Sequence, residues 1–162
     1  MEKVKINLGS GEDYKFGYLN VDNGLMFPNA KLDLTKDIKD FNTLSNSVDE
    51  ILLSHVVMYY RPEELQPLLR KWYSWLKPRG KLIIETIDIR KVAKILLSHG
   101  SQEKINAYGL TNLFGNEQTG PHRWGWSEKA LRDELYKAGF DKLKVEKGDK
   151  KPKRDFKIIA IK

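Results

Sequence analysis

Val4-Lys5-Ile6-Asn7-Leu8-Gly9-Ser10-Gly11 is the stretch on which the reading of the fold turns. Val4, Ile6 and Leu8 alternate with polar residues over a strand's length, and two glycines flanking a serine follow at once. That pattern is a strand running into a tight turn. Glycine reaches positive φ freely and has no Cβ, so a Gly-x-Gly turn lets a ligand approach the backbone closely enough to meet N–H groups. Such turns also end strands that bind nothing, and the neighbouring sequence decides between the two. Gly17 to Val21 is a second short apolar run, closed by Asp22 eleven residues beyond Gly11. A carboxylate at the end of a second parallel strand can accept hydrogen bonds from both hydroxyls of a ribose. A dinucleotide fingerprint would place a third glycine at position 14, where the chain has Tyr14. A pyrophosphate cradle is therefore disfavoured.

Only ten residues lie between Gly11 and Asp22, fewer than a full helical crossover needs, so the first crossover helix is expected to be shortened or missing. Turn signals run from Asp22-Asn23-Gly24 through Phe27-Pro28-Asn29. Ala30 to Leu34 then predicts a short third strand with Asp33 at its end. Val48 to Leu53 predicts a fourth strand ending in Ser54-His55. The clearest helix follows, with Pro62 in its first turn, Glu63 and Glu64 at its positive end, and Leu65, Leu68, Leu69, Trp72, Trp75 and Leu76 at helical spacing. Lys77-Pro78-Arg79-Gly80 stops it, and Lys81 to Thr86 reads as a buried fifth strand. Residues 88–98 predict a helix with Val92, Ile95 and Leu96 inward, and residues 101–114 a weaker one; residues 88–126 together are expected to form a lid or substrate insertion. Ser127 suits the N-cap of a helix reaching Ala138, and Gly139 its stop. Leu143 with Val145, then Phe156, Ile158 and Ala160, predict an antiparallel hairpin. The fold class expected is α/β: one domain over residues 1–162, a three-layer Rossmann-like sandwich with a mostly parallel sheet and an antiparallel C-terminal hairpin. Gly9, Asp22, Asp33 and Ser54 fall at strand ends, where ligands of such sheets sit.

The chain has 162 residues, 40% of them hydrophobic and 31% charged, which suits a globular protein with a sizeable core. No apolar run has the length needed to span a bilayer, and Met1-Glu2-Lys3 shows no signal-peptide pattern, so a cytoplasmic location and no membrane partner are expected. Cysteine is absent, which excludes disulfide and thiolate chemistry. His55, His99 and His122 show no metal-binding spacing, and no metal site is expected. The net charge of +7 is concentrated at the end, where residues 141–162 hold nine basic and four acidic side chains. Such a patch can attract nucleic acid, but without interleaved aromatics a solvated hairpin rim is the favoured reading.

Asn7-Leu8-Gly9-Ser10-Gly11, Asn20-Val21-Asp22, Asp33-Leu34-Thr35, Ser47-Val48-Asp49-Glu50-Ile51 leading into Ser54-His55-Val56, Leu76 to Leu82, and Leu131 through Ala138-Gly139-Phe140 occur in an order that covers most of the chain. In this order they resemble the small class I S-adenosylmethionine-dependent methyltransferases. The resemblance implies a seven-stranded sheet, S-adenosyl-L-methionine as cofactor, and methyl transfer to an oxygen or nitrogen of a small acceptor such as a sugar or metabolite. It also implies that the Gly9-Ser10-Gly11 backbone faces the methionine part of the cofactor, Asp22 the ribose, Asp33 the adenine amino group, and the Leu34 N–H a ring nitrogen. Ser54 and His55 would serve the amino acid end. Asn7 stands where many relatives carry an acid, yet can still accept a hydrogen bond.

Methyl transfer from a sulfonium needs alignment and desolvation more than a catalytic side chain. Two histidines are nevertheless candidates. His122 lies in Pro121-His122-Arg123-Trp124-Gly125-Trp126, where a titratable ring meets two aromatic side chains that can wall a ring-shaped acceptor; alternatively Trp126 only anchors the next helix. His55 follows a buried strand and suits either a packed, hydrogen-bonded role or a base. Other readings remain open: an RNA or protein methyltransferase, or a non-catalytic cofactor-binding or nucleic-acid-binding module using the basic hairpin. The absence of an Asp/Asn-Pro-Pro-Tyr-like segment after strand four argues against base methylation. The oligomeric state is left undetermined.

Overall fold

The alternating N-terminal run forms β1 (Lys5–Leu8), and the second run forms β2 (Leu19–Asp22), parallel to it. A computed structural model provides these coordinates and describes residues 2–98, 100–149, 151 and 153–162; readings that touch Met1, His99 and Lys150 lie outside the described residues. No helix occupies the connection between β1 and β2, as its length requires. The third strand, β3 (Leu34–Thr35), differs from expectation, being two residues long and starting after Asp33 instead of ending on it. The cause is local: the Asp33 carboxylate accepts from both the backbone and the side-chain nitrogen of Asn20, each at 2.8 Å, and this side-chain clamp replaces a longer backbone ladder.

β4 (Val48–Ser54) pairs in parallel with β1 and leads through a short turn into α1 (Pro62–Trp75). The Glu64 carboxylate accepts from the Arg61 N–H at 3.0 Å and closes the first turn of α1, where Pro62 lacks an N–H that would have no helical partner. β5 (Leu76–Ile87) begins earlier than predicted. Leu76 leaves the helix directly in an extended conformation and pairs with Val48, and a register shift absorbs the Lys77–Gly80 stretch, with Arg79 at φ 67°. α2 (Ile89–Leu96) is capped by Asp88. The weaker predicted helix is one helical run composed of α3 (Gln102–Lys104), a π-helical turn (Ile105–Leu110) and α4 (Thr111–Phe114). Gly109 lies where this run crosses α2, and a Cβ there would come within 2.5 Å of Leu96 Cδ2, so that side chain would have to shift. A small ribbon of β6 (Gly115–Asn116) and β7 (Gly120–Pro121) follows. α5 (Glu128–Ala138) starts on the Ser127 cap and stops at Gly139 with φ 109°. β8 (Lys142–Lys147) and β9 (Asp155–Ile161) form the expected antiparallel hairpin.

The sheet order is β3-β2-β1-β4-β5-β9-β8, with β9 antiparallel to both of its neighbours. Register places Ile51, Leu82 and Ala160 in one row, and Leu53, Ile84 and Ile158 in the next, all fully buried on one face. Leu65, Leu69 and Trp72 of α1 and Leu131 and Leu135 of α5 are fully buried in the same core. The alternate row of Leu52, Ile83 and Ile159 on the other face is only half-buried. Among the described residues, no helix is long and apolar enough to cross a membrane.

Candidate active site

The carboxyl ends of β1, β2 and β4 open on a cleft of about 700 Å³, lined by Gly9, Ser10, Gly11, Asp22, Ser54 and His55 among others. Gly9 and Gly11 have φ of 68° and 48°, and a Cβ on Gly9 would come within 2.6 Å of Val56 Cγ2. Glycine is therefore needed for the turn to pass under the β4 loop. The loop's donors are already engaged. The Gly9 and Ser10 N–H groups donate to Val21 O at 2.8 and 3.2 Å, and the Gly11 N–H donates to Asp22 Oδ2 at 3.0 Å. A ligand thus meets a closely approachable backbone and the Ser10 hydroxyl, not the array of free N–H groups that the motif suggests on its own. Ser10 Oγ and Ser54 Oγ are buried without a hydrogen-bond partner among the described residues, and both residues line the cleft. Buried hydroxyls without partners are costly, so this is a place where a polar ligand fits.

Asp22 is half-buried at the cleft wall. Its Oδ2 accepts from Gly11 and its Oδ1 from the Gly24 N–H at 2.9 Å, which leaves each oxygen a second lone pair for a diol. Asn7 lies beneath the loop: its side-chain amide donates to Asp13 O and Asn20 Oδ1 at 2.9 and 3.0 Å, and it does not line the cleft. Asp33 and Leu34 are exposed at the sheet edge, outside the cleft. The hydrogen bonds from Asn20 hold the Asp33 carboxyl below its ordinary pKa, with Tyr14 donating to its other oxygen at 2.9 Å. On that side the cleft is closed by Met26, Phe27, Asp37 and Ile38.

A second cavity of about 1070 Å³ lies between the 88–126 segment, the strand ends and the β8–β9 connection. The two cavities share His55, Tyr59 and Thr119. His55, at φ 58°, sits in the left-handed region that few non-glycine residues occupy. Its Nε2 lies 3.1 Å from Oδ2 of Asp155, which is fully buried. Arg154 donates to both oxygens of Asp155, from Nε at 2.5 Å and Nη2 at 2.9 Å, and from Nη1 to Asn112 Oδ1 at 2.7 Å. Burial alone would raise the Asp155 pKa, but the hydrogen bonds from His55 and Arg154 outweigh it and hold the carboxyl below its usual value. Ligand atoms of His55, Glu85 and Asp155 lie within 4.8 Å of one another, and Arg154 already sits on both Asp155 oxygens.

His122 lines the second cavity. Its Nδ1 is 3.1 Å from Asn112 O; a carbonyl only accepts, so the hydrogen is assigned to Nδ1 and Nε2 of the neutral ring is left as the acceptor. Burial lowers its pKa below the ordinary imidazole value. The ring meets Tyr59 edge to face at 5.5 Å. The tryptophans beside it lie elsewhere. Trp126 is in the core with its Nε1 donating to Val57 O at 2.9 Å, Trp124 is 43% exposed, and neither lines either cavity. Tyr59 and Tyr108 are the aromatic lining instead. Asp155, Tyr59 and Asp37 are the site residues that local sequence reasoning missed. Asp155 reaches His55 only because β9 inserts beside β5, a long-range pairing with no local signal.

No protein-family model matches the chain, and no curated protein matches it. Solved structures do. A candidate O-methyltransferase from Nostoc punctiforme superposes with a TM-score of 0.68 at 14% identity, covering 100% of this chain and 53% of the other. An S-adenosylmethionine-dependent methyltransferase from Mesorhizobium loti gives 0.68 at 14% identity over 99% and 91%. Human N-acetylserotonin methyltransferase, solved in complex with S-adenosylmethionine, gives 0.63 at 14% identity over 98% and 47%. The chain thus spans about half the length of the Nostoc and human proteins. Across its whole described length, it has the fold of the class I S-adenosylmethionine-dependent methyltransferases.

Proposed function

We propose that this protein is an S-adenosylmethionine-dependent methyltransferase acting on an oxygen or nitrogen of a small acceptor. The observation that carries this reading is the pair of cavities meeting at His55, Tyr59 and Thr119, one walled by the glycine turn and Asp22, the other by His122. The cleft residues suit the cofactor. Asp22 offers acceptor lone pairs for ribose hydroxyls, Ser10 and Ser54 offer unpartnered hydroxyls, and Met26, Phe27 and Ile38 offer apolar walls for a flat base. When bound, S-adenosylmethionine supplies an electrophilic methyl group ready for displacement. The chain's own contribution is to align the acceptor across the shared wall, exclude water, and take up a proton. Nε2 of neutral His122 is the acceptor for that proton. Asp155 fixes the His55 ring at the junction. In this reading, residues 88–126 form the roof of the acceptor cavity. Parallel calorimetric titrations with S-adenosylmethionine, S-adenosylhomocysteine and NAD test the proposal. The first two are expected to bind and NAD is not; binding of NAD alone would overturn it.

A further inference from the structure

We propose that the acceptor is an aromatic molecule carrying a carboxylate or phosphate group, and that Lys151 and Lys153 hold this anion in the larger cavity. The inference rests on the methyltransferase reading and narrows its substrate class.

The cavity lining includes Lys151, Lys153 and Arg154 together with His55 and His122, and among the described residues it contains no aspartate or glutamate. Arg154 is neutralised by its two bonds to Asp155. Lys151 and Lys153 make no ion pair with any described residue, in contrast with two other lysines of the same hairpin. Lys157 pairs with Glu146 and Asp149, at 3.0 and 2.7 Å, and Lys144 pairs with Glu146 at 2.7 Å. Glu146 and Asp149 therefore go to Lys144 and Lys157, and neither compensates the two lysines that line the cavity. Two ammonium groups beside a low-dielectric concavity make a positive potential that focuses on an anion entering it.

The rest of the lining sets the body of the ligand. Met58, Ile87, Ile95, Tyr59 and Tyr108 supply apolar and aromatic walls suited to a flat ring. The lysines come from the β8–β9 connection, whereas His55, Tyr59 and Thr119 mark where this cavity joins the cofactor cleft. An acceptor held by its anion at the first place and reacting at the second would present a ring hydroxyl or amine to the junction.

The test uses 4-hydroxybenzoate and phenyl phosphate as anionic probes and phenol as the neutral control. Each is titrated into the wild-type protein and into the Lys151→Gln/Lys153→Gln variant, at low and high salt, with and without saturating S-adenosylhomocysteine. Both substituted positions are exposed, and equal melting temperatures would confirm an intact fold. At least one anion is expected to bind roughly tenfold more tightly than phenol, with the advantage lost in the variant and reduced by salt. The stronger of the two probes identifies the group. Equal binding of phenol and the acids, no binding by either acid, or an unaffected variant would overturn the proposal. So would a single-stranded RNA that outcompetes both acids and depends on the same lysines, since the charges would then serve a polyanion. Binding of S-adenosylhomocysteine without anion preference removes only this inference. Anion preference without S-adenosylhomocysteine binding removes the methyltransferase reading and leaves the anion site.

Discussion

Replacing Asp22 with alanine removes two kinds of interaction that can be measured separately. Within the protein, the carboxylate accepts from the Gly11 and Gly24 N–H groups at 3.0 and 2.9 Å. Bonds to a charged group contribute about 1.5–3 kcal/mol each, but Asp22 is half-buried and water can replace part of what is lost, so a total of roughly 2–4 kcal/mol is expected. Gly11 is buried, and its N–H would be left without a partner. For a chain of this size, each kcal/mol corresponds to about 2–4 °C, so the melting temperature should fall by roughly 5–15 °C. Toward the ligand, loss of the ribose contacts should cost a further ~1.5–3 kcal/mol, or about 10- to 150-fold in affinity for S-adenosylhomocysteine. Scanning calorimetry without ligand gives the first number, and isothermal titration well below the melting temperature gives the second. Asp22→Asn keeps one acceptor oxygen and should fall between wild type and alanine on both scales. A lower melting temperature with unchanged ligand affinity would show that Asp22 only closes the turn, and would refute its assignment to the cofactor.

His122→Ala should lower kcat by on the order of 10²–10⁴-fold while S-adenosylhomocysteine affinity stays constant, as measured with an accepted substrate. Because only the neutral ring can take the proton and burial depresses its pKa, the wild-type rate should hold through neutral pH and fall as pH drops below that depressed value, under 6.5; an acid limb retained in the variant would assign it to another group. Trp126→Ala should cost about 3–5 kcal/mol in chemical denaturation, because a fully packed indole and its bond to Val57 O are removed. Trp124→Ala should alter stability by less than about 1 kcal/mol, and equal losses at the two positions would contradict the placement of Trp126 in the core.

Much of the α/β frame is legible locally. Val4 to Leu8 announces β1 by alternation, Leu65 to Trp75 announces α1 by helical spacing, and Ser127 with Gly139 bounds α5 to within a residue. The misread boundaries occur where a side chain replaces backbone structure, as Asp33 does beside Asn20, or where a helix passes into a strand without a loop, as at Leu76. The motif order points to the cleft wall at Gly9, Asp22 and Ser54, because those residues end strands whose parallel order follows from the chain's alternation. What stayed hidden depends on distant contacts. Nothing near position 155 signals that its carboxylate will meet His55, and the Trp124–Trp126 pair looks like an aromatic wall until packing sends one ring into the core and the other to the surface.

The connections after β1, β2 and β3 carry no helix, and this has a mechanical side. The half of the sheet carrying β4, β5 and β9 is backed by α1, α5 and the buried Trp72, whereas the opposite edge ends in a two-residue strand. Cohesion is therefore lopsided, and local opening belongs to the poorly backed edge. The proposed cofactor cleft straddles that divide, with Asp22 on the weak side and Ser54 on the strong one. A molecule held by both acts as a clasp, so part of its binding free energy goes into stiffening the edge and the remainder appears as affinity. A ligand bridging the two sides would brace an edge that no helix of the described residues covers.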